Sequence, residues 1–285
     1  INNNIKVKEL FQQANEIIGY NLTEICLNGP LEKLNSTEVT QVAIFVSSMA
    51  AVEKLKLTDP NIVESCTVAL GLSLGEYSAL CFAGAISFED GVRLTQARGQ
   101  AMQFASDKKP SGMISIVGVS KDIIEDLCKQ TKQELQQDVT IGNYLCDKNY
   151  SISGSIEAIN YVSKLAHHHN PTKIVTLAVS GAFHSSYMLP AVPIFEQVLN
   201  KVNISPLRIP VISNTQASPY PLDGTTIKTE LLKQITQPVQ WEKSMNLILE
   251  HQREFGISYE IGPGRVCNGI LKSISRRAKV VNIGV

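Results

Sequence analysis

Apolar and polar positions along this chain follow two periods, and the changes between them mark its elements. Val7, Leu10, Phe11, Ala14, Ile17 and Ile18 recur at helical spacing and predict an amphipathic helix near the start. QVAIFVSSMAAVEKL, residues 41–55, is apolar almost all round, which predicts a helix buried on most sides. CTVALGLSLGEYSAL then gives a short apolar run at 66–70, a serine between two glycines, and a helical pattern. The order is strand, sharp turn, helix. A second helix is expected after Ser87, where SFED resembles a capping box with Asp90 in place of Glu or Gln.

From 111 to 179 the rhythm changes. GMISIVGV reads as a strand and SKDIIEDLCKQTKQEL as a helix with Ser120 at its cap. VTIGNYL and YSISGS read as strands joined by the polar turn CDKN. IEAINYVSKLAHHH reads as a helix and TKIVTLAV as a closing strand. This β-α-β-β-α-β order is ferredoxin-like and predicts an inserted small subdomain over 111–179. After Ser180 the first rhythm resumes, with strands at RIPVISN, ISYEIG and KVVNIG. Between them run helices at WEKSMNLILEHQ, with Trp241, Met245 and Ile248 on one face, and at VCNGILKSISRR. Strands alternating with helices predict a large α/β subdomain over 1–110 and 180–285, its mainly parallel sheet covered on both faces.

Composition narrows the class. With 285 residues and 44% apolar content, one large α/β unit or two unequal ones both fit. The formal net charge of zero argues against a broad nucleic-acid footprint. The scattered cysteines at 26, 66, 81, 128, 146 and 267 form no C-x-x-C pair, so a reducing compartment and no structural metal are expected. No apolar run approaches the roughly 18 to 20 residues that span a bilayer.

GLSLGEYSAL, residues 71–80, carries the candidate chemistry. The spacing G-x-S-x-G between a strand and a helix is the setting of a nucleophile elbow: Ser73 would project from the sheet edge, and the next backbone N–H would face a developing oxyanion. A structural turn is the alternative. A serine nucleophile needs a base. His167, His168 and His169 read as a solvated helix end, and His251 as exposed near another. His184, in LAVSGAFHSSYMLP, remains. Asp107, Asp122, Asp126, Asp138 and Asp147 lie between serine and histidine in turns or on exposed helix faces, so a Ser–His dyad oriented by a backbone carbonyl is the better reading than a triad. Arg98, on a helix 25 residues after Ser73, is either a surface arginine or a fork for a substrate carboxylate.

Together these segments resemble the malonyl-CoA:acyl carrier protein transacylases. GLSLGEYSALCFAGAISFEDGVRLTQARGQAMQ, SGAFHSSYMLPAV, KQITQPVQW and YEIGPGRVCNGILKSI fall in that family's order, and ELFQQANEIIGYNLTEICLNGP extends the similarity to the N-terminal region. The resemblance implies an α/β-hydrolase-like large subdomain with a ferredoxin-like insert. It implies Ser73 as the acylated nucleophile, His184 as base, Arg98 on the malonyl carboxylate, Leu74 as an oxyanion N–H and Gln41 in the pocket. Gln234 would orient His184 through its carbonyl, and Phe183 matches the malonyl-preferring motif. Malonyl-CoA and acyl carrier protein would be the substrates, with no resident cofactor, no metal, no nucleic acid or membrane partner, and a monomeric chain. NYLCDKNYSISG and RIPVISN resemble plastid-type members most, which implies an organellar stroma or matrix, plastid first and mitochondrial second. The family also carries a G-Q-G-x-Q loop upstream of its first helix that helps build the oxyanion hole, and the resemblance implies that this donor lies outside the present residues. Because acyl carrier proteins are generally acidic, Lys272, Arg276 and Arg277 are either a docking patch or a solvated helix end.

Overall fold

The computed structural model describes residues 4–251 and 256–284, the side chain of His251 excepted, so the expectation for that histidine lies outside the described residues. The predicted first helix runs Ile5–Ile18, with Val7, Phe11, Ala14 and Ile18 buried. Helix Thr37–Thr58 is the centre of the large part. Val42, Phe45, Val46, Ala50 and Ala51 along it are all buried, as its all-round apolar pattern requires. It packs against helix Phe88–Lys108, whose N-cap Ser87 accepts a hydrogen bond from the Asp90 N–H at 3.0 Å.

The segment 111–176 forms a four-stranded antiparallel sheet. In space its strands run Val139–Cys146, Asn149–Ser155, Ser111–Val117, Lys173–Thr176. That is the ferredoxin-like order, and the expected turn tightens to Asp147 and Lys148. Alternation sorts the two faces. Ile114, Ile116, Tyr150 and Ile152 bury against helices Lys121–Leu135 and Ile156–Ala166. Met113 and Ser153 point the other way, and the Ser153 hydroxyl donates to the Phe183 carbonyl at 2.6 Å. On the outer edge, the Tyr144 N–H donates to the Val239 carbonyl and the Val239 N–H to the Gly142 carbonyl, both at 2.9 Å. The small part thus grips the chain beside His184 and just beyond Gln234.

The parallel sheet is reduced among the described residues. Ser258–Ile261 pairs in parallel with Val280–Ile283. The runs at 66–70 and 208–214, expected as strands, meet in one parallel bridge, Ala69 to Val211. Pro210 gives a reason: its carbonyl accepts from the Ala69 N–H at 3.0 Å, but with no N–H of its own it cannot extend the ladder. The closing strand of the small sheet is likewise shorter than TKIVTLAV. His167, His168 and His169 form an exposed 3₁₀ turn, as expected. No helix among the described residues is long and apolar enough to cross a membrane.

Candidate active site

Ser73 sits where the bridge at Ala69 turns into helix Gly75–Phe82. Its φ of 50° is left-handed, an unusual conformation for a residue with a side chain, and it marks a strained corner. Gly71 is what lets the corner close. A Cβ there would lie 2.0 Å from the Gly75 backbone. A Cβ at Gly75 would meet nothing within 4 Å, so the close approach at this corner needs only the first glycine of the motif. The Asn214 side chain fastens the turn: its Oδ1 accepts from the Ser73 N–H and its Nδ2 donates to the Gly71 carbonyl, both at 2.7 Å.

His184 also has a positive φ, 58°, after the small residues Gly181 and Ala182. Its ring bridges two partners. Nε2 lies 2.8 Å from Ser73 Oγ, and Nδ1 lies 2.7 Å from the Gln234 carbonyl oxygen. A carbonyl only accepts, so Nδ1 carries the proton and Nε2 is left as the acceptor for the serine hydroxyl. Burial, then the nearby Arg98 charge, push the imidazole down to about 3, against a smaller opposing effect of the Gln234 carbonyl. It is therefore neutral at neutral pH. No aspartate takes part among the described contacts; the carbonyl does the orienting that a triad acid would do.

Arg98 is 2% exposed, which decides between the two sequence readings in favour of an inward-pointing side chain. Its Nη1 donates to Gln41 Oε1 at 2.6 Å, and its Nη2 donates to Ser73 Oγ at 2.9 Å and Gln234 Oε1 at 3.0 Å. The guanidinium lies 5.5 Å from the Tyr77 ring centroid. Its Nε has no hydrogen-bond partner, and no carboxylate forms an ion pair with it among the described residues. A buried guanidinium held only by neutral acceptors beside a serine hydroxyl is a ready receptor for an anion. Leu74, buried at the head of helix Gly75–Phe82, has an N–H that no acceptor takes among the described residues. Phe183 is half-buried beside His184 and packs on the main core.

The structure thus brings Ser73, His184, Arg98, Gln41 and Gln234 into one hydrogen-bonded cluster. It adds residues the sequence reading gave no role: Glu76, Asn214 and Tyr220. Glu76 is 1% exposed. Its Oε1 accepts from the Asn214 N–H at 2.9 Å and the Tyr220 hydroxyl at 2.7 Å, and its Oε2 accepts from Gln234 Nε2. A charged residue inside the apolar run after the elbow was the available signal for Glu76. Nothing in the sequence around Asn214 or Tyr220 marks them. No group of three or more His, Cys, Asp or Glu side chains that could hold a metal occurs among the described residues.

A hydroxyl on a neutral imidazole, with a free N–H beside it, is a site for acyl transfer through a serine ester. Comparison with known proteins agrees. The acyl transferase domain model matches residues 6–263, and the chain belongs to that family. Within it, the chain is 39% identical over 282 residues to the mitochondrial malonyl-CoA–acyl carrier protein transacylase of Homo sapiens, covering 96% of this chain and 72% of that one. The solved malonyl CoA–acyl carrier protein transacylase of Coxiella burnetii superposes with a TM-score of 0.90 at 30% identity, over 97% of this chain and 85% of the other. A malonyl-transacylase solved in complex with its type II polyketide acyl carrier protein gives a TM-score of 0.91 at 30% identity, over 98% and 87%.

Proposed function

We propose that this chain transfers the malonyl group from malonyl-CoA to the phosphopantetheine thiol of an acyl carrier protein, through a malonyl ester on Ser73, in type II fatty acid synthesis. The observation that carries the reading is Arg98: a buried cation that forms no direct ion pair with a carboxylate among the described residues, 2.9 Å from the serine oxygen. A substrate carboxylate takes charge-assisted, bidentate bonds from the guanidinium in place of those to the neutral Gln41 and Ser73 oxygens. An uncharged acyl group offers no such exchange. The names of the transacylase relatives support the substrates, and the solved carrier-protein complex supports the acceptor.

The steps follow from the geometry. The Ser73 hydroxyl passes its proton to His184 Nε2 as Oγ attacks the thioester carbonyl. The Leu74 N–H receives the oxyanion. The carbon–sulfur bond breaks, the imidazolium returns its proton to the coenzyme A sulfur, and the malonyl ester remains. The carrier thiol then gives its proton to His184 and attacks the ester, and Ser73 Oγ leaves with that proton. The entering carboxylate also offsets the Arg98 charge, one of the two causes that hold His184 down, so the base strengthens when the right substrate is in place. The reading needs no resident cofactor, since coenzyme A and phosphopantetheine arrive with the substrates.

The same proposal takes the chain as a monomer, with 1–110 and 180–285 forming the acyltransferase part and 111–179 the small one. It places the protein in an organelle: mitochondrial relatives support that setting, and the plastid assignment rests on the resemblance of NYLCDKNYSISG and RIPVISN alone. Lys272, Arg276 and Arg277 are exposed at the end of helix Val266–Ile274 and available to an acidic carrier. Intact-mass analysis tests the reaction. Malonyl-CoA should add one malonyl group, absent in Ser73→Ala, and carrier protein should remove it as malonyl-carrier. Coenzyme A release with no transfer to the carrier would make this a thioesterase instead.

A further inference from the structure

Glu76 is the most deeply buried carboxylate described, and the reaction steps above do not use it. Burial pushes its pKa up to about 7, against the hydrogen bonds of Tyr220, Asn214 and Gln234 and the Arg98 charge, which favour the ionised form. So costly a group needs a reason to be there. Its contacts supply one. Every partner is a donor: the Asn214 N–H, the Tyr220 hydroxyl and the Gln234 amide. Two of these touch different parts of the site. Asn214 fastens the Ser73 turn. Gln234 receives the His184 Nδ1 proton on its main-chain oxygen and the Arg98 Nη2 on its side-chain oxygen.

The Gln234 amide is the pivot. Its Nε2 has two hydrogens, one given to the Ser73 carbonyl at 2.9 Å and one to Glu76 Oε2. Its Oε1 must then face Arg98. A flipped amide would turn two N–H bonds against the guanidinium and leave a carboxylate facing an oxygen. Glu76 therefore fixes the rotamer sense of Gln234, and through it the set of Arg98.

We propose that Glu76 is a positioning residue for acyl selectivity: as acceptor for Gln234 Nε2, it keeps the Gln234 oxygen on Arg98 and so holds the guanidinium in the pose that receives the malonyl carboxylate. This rests on the malonyl-transfer reading above. The charged and titratable groups facing Glu76 are Arg98 from helix Phe88–Lys108, Tyr220 from the segment after the Ala69–Val211 bridge, and Tyr77 on its own helix.

The substitution that tests it is Glu76→Gln, close in shape but with an amide that must set one donor against a donor. The readout is kcat/KM for malonyl-CoA and acetyl-CoA at matched folded fraction, from pH 5.5 to 8.5. In Glu76→Gln the malonyl-to-acetyl ratio should fall roughly tenfold to a hundredfold, as for loss of a hydrogen bond to a charged group. In the parent that ratio should drop below about pH 7, where Glu76 takes up a proton, and this acid limb should vanish in the variant. Tyr220→Phe removes one donor to Glu76 without touching substrate, and should lower the ratio in the same direction by about twofold to tenfold. If Glu76→Gln folds poorly, Tyr220→Phe decides alone. Equal losses on both thioesters, or an unchanged ratio in either folded variant, overturn the proposal. A parent that forms no malonyl adduct overturns the reading beneath it, and that result is distinguishable from a parent that acylates with an indifferent Glu76.

Discussion

The four-stranded sheet and the Ser73 corner are both well buried, but they are held by different physics. The sheet is held by backbone ladders and by an apolar face closed with two helices. Its register alternates Ile114, Ile116 and Ile152 inward against those helices, and each apolar contact contributes on its own. The Ser73 corner has almost no ladder. Glu76, Arg98, His184, Asn214 and Gln234 are all buried there, and each is satisfied mainly by another member of the set. A core of the first kind degrades in proportion to what is removed. A network of the second kind fails as a unit, because each deletion leaves a buried partner unpaired.

His184→Ala should have the largest effect on chemistry. Loss of the base should cut the Ser73 acylation rate by about 10² to 10⁴, measured by stopped-time mass spectrometry. The sheet supplies the converse. Ile152 is fully buried, and Ile152→Ala should cost roughly 2 to 5 kcal/mol in denaturant unfolding while leaving kcat/KM per folded molecule nearly intact. If Ile152→Ala lowered kcat/KM of the folded enzyme as much as stability, the two regions would not be separable.

Ser153→Ala probes the seam. The hydroxyl reaches from the sheet to the Phe183 carbonyl, next to the base. Its loss should raise the barrier to acylation by about 0.5 to 1.5 kcal/mol, with a melting change of the same order. An acylation rate equal to the parent's would show that the small part does not help to place His184.

The pH dependence of stability differs in sign between two members of one network. Glu76 has a folded pKa of about 7, above its ordinary 4.5, so the folded state binds more protons between those values and stability falls as pH rises through that window. His184 at about 3, below its ordinary 6.5, works in reverse: the unfolded state binds more protons, and stability is lost as pH falls from about 6.5 towards 3. The two contributions oppose each other over the shared range. The unfolding free energy of Glu76→Gln relative to the parent should therefore rise between pH 5 and 7.5. A pH-independent difference would mean that Glu76 titrates normally.

The same contrast explains what could be read from sequence. Periodicity reports burial on a face, so the sheet order, helix Thr37–Thr58 and the Ser87 cap were all legible. The strands expected at 66–70 and 208–214 reduce to one bridge, and Pro210 within the second run is the sequence signal against a longer ladder. Of the site, Ser73 was legible from its glycines and His184 by elimination among the histidines. Arg98, Gln41 and Gln234 needed the family resemblance, since a buried arginine and a surface one look alike in a single sequence. Glu76, Asn214 and Tyr220 act through pairings up to 158 residues apart, and no local pattern records such a pairing.

The proposed malonyl transfer rests on Arg98 selecting the acyl group by its charge. The direct measurement is kcat/KM for malonyl-CoA and acetyl-CoA in the parent, Arg98→Ala and Arg98→Lys. Removing one member of a buried charge pair costs about 2 to 5 kcal/mol, part of which substrate rearrangement recovers. Arg98→Ala should thus lower malonyl transfer by at least about tenfold to a hundredfold. Acetyl transfer should change little, and Arg98→Lys should restore only part of the loss, lacking the planar fork. Malonyl and acetyl transfer falling by the same factor in Arg98→Ala would contradict the account.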